Sequence, residues 1–136
     1  MKQKQLIIAV AMIVIVAAVV IIMLNADSKP STMEVRDGSL VIGGSFGVTV
    51  PVSEISGLEW QDALPGIGRK TNGSGVGSVY KGEFTLADGA KARLYADGKK
   101  PPFIRFTQGG TVFYLNAGTK EQTEELMAKL EAAIKR

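Results

Sequence analysis

The 136-residue chain has no cysteine, no histidine and a single tryptophan. The missing cysteine excludes disulfides, thiol nucleophiles and a lipoprotein-type lipid attachment on this chain. The missing histidine further removes the usual zinc ligand sets and any Ser-His-Asp triad. Carboxylates do not fill the gap. Glu59 and Asp62 are close in sequence, but no second acid, base or metal-ligand spacing accompanies them. The expectation is therefore a protein that is not an enzyme, with no cofactor and no metal. Excess charge of one sign is also scarce. Of the net +3, Lys2 and Lys4 supply two, so the rest of the chain has 14 basic against 13 acidic residues. A nearly neutral remainder points to no nucleic-acid partner, although the pI of the whole chain is near 9.2.

One long apolar run is present. Leu6 to Leu24 reads LIIAVAMIVIVAAVVIIML, nineteen residues without a polar side chain. As a helix it spans about 28 Å, close to the hydrocarbon thickness of a bilayer. Eleven of the nineteen are Ile or Val, which weakens helix propensity in water. In lipid that matters little, because an unpaired backbone group costs more than the propensity lost. A cleaved signal peptide would have a shorter core, and cleavage after Ala26 would put Leu24 where a small residue belongs. A buried core helix, the other plain reading, would need a larger protein around it. The expected organisation is a cytoplasmic N-terminus over residues 1–5, a transmembrane signal anchor over 6–24, a linker over 25–32 and one domain over 33–136. Lys2 and Lys4 place the N-terminus in the cytoplasm by the positive-inside rule, so the domain lies outside a single-pass cell membrane protein.

After the polar stretch DSKPST (27–32) the texture becomes that of strands. Runs rich in Val, Ile, Phe and Tyr alternate with Gly-containing turns. Asp37-Gly38, Asp88-Gly89 and Gln108-Gly109-Gly110 each read as hairpin turns between such runs. Strands are expected at 33–35, 39–42, 48–52, 55–60, 76–86, 90–96, 103–107 and 111–115, with Pro51 marking an edge. Residues 62–75 read as a long glycine-rich loop, and Trp60 as a core residue near Tyr80 and Phe84. The final segment changes period. Thr119 and Gln122 form a capping box, Glu125–Lys129 and Glu131–Lys135 are i,i+4 pairs, and Lys129, Lys135 and Arg136 lie toward the end. Leu126, Met127, Leu130, Ala133 and Ile134 line one face of this helix. The fold class is mainly β: about seven antiparallel strands in a partly open barrel capped by a C-terminal α-helix and preceded by one transmembrane helix.

From Ile55 onward the chain carries Asp62-Ala-Leu-Pro65, Arg69-Lys70, Asn72-Gly73, Gly82-x-Phe84, Lys91-Ala-Arg93-Leu-Tyr95, Pro102-Phe103-Ile104 and Tyr114-x-Asn116 before the helix. This pattern resembles the bacterial PH-domain (pleckstrin-homology-like) families over residues 33–136. The resemblance implies a PH-like fold and a binding scaffold for lipids, peptides or proteins. The first hairpin, at Asp37-Gly38, lacks the basic cluster of the lipid-binding members.

Two basic groups are candidate contacts. Arg69 and Lys70 sit among glycines whose backbone amides can converge on an anion, although the residues match neither a Walker loop nor a dinucleotide fingerprint. Arg93, Lys99, Lys100 and Arg105 would share one edge if the strands carrying Arg93 and Arg105 were paired. The plain readings are a flexible connection and edge-protecting lysines. The functional expectation is a membrane-tethered binding module for a protein or peptide partner at the membrane surface. The alternative is binding of anionic lipid head groups or a cell-envelope polymer through a basic edge.

Overall fold

A computed structural model describes residues 2–27 and 29–135; Arg136, expected among the cations at the C-terminal helix end, lies outside them, as does Ser28 of the expected linker. The first helix, α1 (Lys2–Asp27), is longer than the apolar run at both ends. All described side chains from Lys2 to Ile22 are exposed. It is therefore not a core helix, and among the described residues it is long and apolar enough to cross a membrane.

Among the described residues nine strands follow: β1 (Met33–Arg36), β2 (Ser39–Ile42), β3 (Val48–Pro51), β4 (Ser56–Gln61), β5 (Ile67–Val76), β6 (Val79–Leu86), β7 (Lys91–Asp97), β8 (Phe103–Gln108) and β9 (Thr111–Leu115). The chain ends in helix α2 (Lys120–Ile134). The strands form two sheets, one of three in the order β1-β2-β3 and one of six in the order β4-β8-β9-β7-β6-β5. The mainly β class with a helix at each end is as expected. The finer expectation of about seven strands, all antiparallel, differs: among the described residues there are nine strands, and β7 runs parallel to β9.

The turn chemistry explains the first hairpin. Asp37 and Gly38 both have positive φ, 53° and 75°, as a two-residue turn matched to strand twist requires. The largest correction concerns residues 62–75. Most of that stretch is strand β5, paired antiparallel with β6 from Ile67↔Leu86 to Val76↔Val79. Its glycines serve close approach. Gly73 and Gly82 face each other across the pair, a Cβ on Gly73 would strike the Lys81 carbonyl, and one on Gly82 would come within 2.5 Å of the Asn72 carbonyl. A composition typical of loops is here the condition for two backbones to meet.

The main core lies between the three-stranded sheet, α2 and one face of the six-stranded sheet. Leu40, Ile42 and Val50 meet Tyr95, Ile104, Phe106, Phe113 and Leu115 there. Phe106 and Phe113 stack with centroids 4.7 Å apart. Helix α2 adds Leu126, Met127 and Leu130, each contributing about 1.5–3 kcal/mol by burial. Ile134, expected on that face, is instead 40% exposed. The capping box forms in both directions, Gln122 N–H donating to Thr119 Oγ1 and Thr119 N–H to Gln122 Oε1, each at 3.1 Å. A smaller core covers the opposite face of the large sheet, where Phe84, Leu86, Ala92, Leu94 and Tyr114 pack with Leu64 and Ile67. Trp60 belongs to neither. It is 42% exposed on β4, the outermost strand at the end of the sheet away from β6, whereas Tyr80 and Phe84 contact each other edge to face. An edge strand has a neighbour on one side only, so its side chains are the least covered.

Candidate functional site

The order β8-β9-β7 creates an unusual joint. Strands β7 and β8 are consecutive in sequence, but β9 lies between them. The connection from Asp97 to Phe103 must therefore cross two strand spacings, about 10 Å. Because β9 is parallel to β7, its C-terminal end arrives directly beneath that crossing. Asn116, the first residue after β9, is 1% exposed. Its Oδ1 accepts from Asp97 N–H at 2.9 Å, and its Nδ2 donates to the carbonyls of Asp97 and Lys100, both at 2.9 Å. Its own N–H donates to the Tyr95 carbonyl. One buried side chain thus bonds three backbone groups where the chain leaves the ladder after Asp97.

Asp97 completes the turn. Its carboxylate accepts from the Ser78 hydroxyl at 2.6 Å and from Lys99 N–H at 3.0 Å. Burial alone would raise its pKa. The Ser78 and Lys99 hydrogen bonds and the charges of Lys100 and Lys99 outweigh burial, and they hold the carboxyl below its usual value. Lys100 Nζ reaches the Gly118 carbonyl at 3.4 Å. Lys99 is exposed and makes no salt bridge among the described residues. It lines a groove of about 820 Å³ together with Leu64, Pro65, Ile67, Tyr80 and Phe103. A second cleft of about 430 Å³ separates the segment before β1 from α2. Ser31, buried and with its hydroxyl unpartnered among the described residues, lines that cleft.

The six predicted contact residues do not form one site. Arg93 faces the main core side of the sheet, where it pairs with Glu83 at 3.8 Å and donates to the Tyr95 hydroxyl at 3.4 Å. That phenol in turn donates to the Phe46 carbonyl at 2.7 Å. Burial raises the Tyr95 pKa, the Arg93 hydrogen bond and charge offset part of the rise, and Glu83 adds to it. Arg105 lies on the opposite face. It pairs with Glu59 at 3.2 Å and sits 6.0 Å from the Tyr114 ring centroid. Since β9 separates their strands, the shared edge expected for Arg93 and Arg105 does not exist. Arg69 and Lys70 are elsewhere again, both exposed on β5 opposite Thr85 and Phe84. The Asp97 turn adjoins Val79 at the other end of β6, so the two basic groups stand about 20 Å apart along the sheet.

Sequence reasoning did not anticipate the joint. Asn116 was visible as a polar residue between a strand and a capping box, but only the β8-β9-β7 order reveals what it holds. Family models, curated proteins and solved structures were all searched, and none matches this chain.

Proposed function

We propose that this chain is a membrane-tethered, non-enzymatic binding module that recognises a protein or peptide partner at the membrane surface. In this reading α1 is the single-pass anchor, the N-terminus is cytoplasmic and the domain is extracytoplasmic. The observation that carries the proposal is that, among the described residues, the large sheet ends in β4 and β5, each hydrogen-bonded to a strand on one side only. Open edges present unpaired backbone groups to an incoming extended segment, which is a recurrent way for small β domains to take peptides. The groove beside Lys99 offers a second contact within the size range of ligand clefts. A PH-like relationship is supported by the C-terminal helix packed into the core, while the parallel β7–β9 pair departs from a wholly antiparallel meander. Photocrosslinkers placed in turn at Trp60, Thr71, Lys99 and Glu125 of the full chain in native membranes test the function. A discrete adduct to the same protein from one surface is expected. Absence of any discrete adduct from all four positions would reject the reading.

The second reading, an anionic lipid head group or envelope polymer, is favoured by the Asp97–Pro102 turn, whose hydrogen bonds present Lys99 on a fixed backbone. The contacts would be Arg69, Lys70, Lys99 and Lys100. In lipid nanodiscs holding the full chain, replacing zwitterionic by anionic lipid should shift the amide resonances of both basic groups, and less so in high salt. Unchanged resonances would exclude the lipid version, and added polyphosphate tests the polymer version in the same way.

A further inference from the structure

The open strands of the two sheets differ in what they offer a partner. Strands β1 and β3 have four residues each, and β3 ends at Pro51, which has no N–H to donate. Strand β4 has six residues, its register is broken between Ser56 and Glu59, and Glu59 is already paired with Arg105. Strand β5 is the longest, with ten residues, eight of them in register with β6; α1 also approaches it, yet Gly68 to Asn72 are exposed in an unbroken run. The run contains Arg69 and Lys70, neither in a salt bridge among the described residues. No acidic residue occurs from Ile67 to Val76.

Charge decides the occupant. A second copy of the chain pairing β5 with β5 would bring two further cations against these two, and like charges across a pair are destabilising. Lysines and bulges at an edge work in this way against self-association. The same two charges favour a partner strand of opposite sign. The irregularities lie on either side of the pair, between Ile67 and Arg69 and between Lys70 and Asn72, while Arg69 and Lys70 stand opposite consecutive residues of β6, Thr85 and Phe84, so the two cations flank the edge on opposite faces.

We propose that the Gly68–Asn72 edge of β5 is a docking strand for an extended acidic segment of a partner protein. The segment extends the six-stranded sheet by backbone hydrogen bonds and sets carboxylates against Arg69 and Lys70. This rests on the binding-module reading and narrows it to one edge and one charge. The test uses the isotope-labelled full chain in zwitterionic nanodiscs and two ten-residue peptides, one repeating Glu-Glu-Val and one repeating Lys-Lys-Val, so that charges stand on both faces of the added strand. The Glu peptide is expected to bind at least tenfold more tightly, to move the amide resonances of residues 68–72 first, and to lose affinity in salt. Arg69→Glu with Lys70→Glu should reverse the preference. Arg69→Ala with Lys70→Ala, a milder change, should reduce the discrimination, and unchanged β7–β9 resonances show that each variant is folded. Equal binding of both peptides, or binding of neither, overturns the docking strand. Shifts centred on α2 or on the Lys99 groove overturn it while leaving the binding-module reading intact. Shifts of residues 68–72 on changing to anionic lipid without peptide would assign the edge to the membrane instead. The photocrosslinking result then judges the broader reading independently.

Discussion

The centre and the β5 edge of the large sheet are built on opposite terms. Strands β7 and β9 place residues in both cores and β8 in the main one, and their polar groups are engaged: Asn116 under the turn, Arg93 with Glu83 and Tyr95, Arg105 with Glu59. At β5 the backbone is hydrogen-bonded to β6, α1 also approaches the strand, and Arg69 and Lys70 are exposed. Stability is concentrated in the first region and freedom to bind in the second. Cations of the same type therefore differ in meaning according to where the sheet places them. A committed arginine tunes a neighbour, whereas an uncommitted one is available to a ligand.

Substitutions can break this contrast, starting with the largest expected effect. Phe106→Ala removes one ring of the Phe106–Phe113 stack from a site with 0% exposure and should cost about 3–5 kcal/mol, read as a lower urea midpoint by circular dichroism. Trp60 is too exposed to serve as the fluorescence reporter. Asn116→Ala leaves the Asp97 N–H and the Lys100 carbonyl without their partner, while the Asp97 carbonyl keeps Lys100 N–H, and should cost about 3 kcal/mol. Hydrogen exchange should accelerate first at residues 97–102, and a loss of protection spread evenly over the domain would contradict a local staple.

Acid should weaken the same joint to a smaller extent. The Asp97 carboxyl has a lowered pKa in the folded chain, so its contribution is present above the unfolded-state value and is lost as pH falls through the folded one. Midpoints taken from pH 6 downward should fall below the usual carboxylate pKa, and the slope should be shallower in Asp97→Asn. Identical slopes would remove Asp97 from the argument. The smallest effect belongs to β5. Arg69→Ala with Lys70→Ala should change stability by no more than about 0.5 kcal/mol. A loss above about 1 kcal/mol would mean that these cations are structural, and the contrast between the two regions would fail.

The last helix was legible because its signals are local. Thr119 and Gln122 are three residues apart, and Leu126, Met127 and Leu130 lie on one face whatever they pack against. The Asp37-Gly38 and Asp88-Gly89 turns were legible for the same reason. Strand β5 was not, because its glycines carry no apolar period and its only strand signal is the backbone of β6. The candidate site was legible as residue types and not as a place. Six basic residues could be named from sequence, but their division among an open edge, a stapled turn and two faces of a sheet depends on strand order.

By itself the sequence determined the apolar first helix, the β-rich texture, the tight hairpins and the amphipathic last helix, all of which depend on neighbours within a few residues. Tertiary structure alone decided that β9 inserts between β7 and β8, that Asn116 is buried beneath their connection, that Trp60 is exposed and that β5 is an edge. These follow from pairings between distant segments, and such pairings are set by which faces can be buried together rather than by local preference.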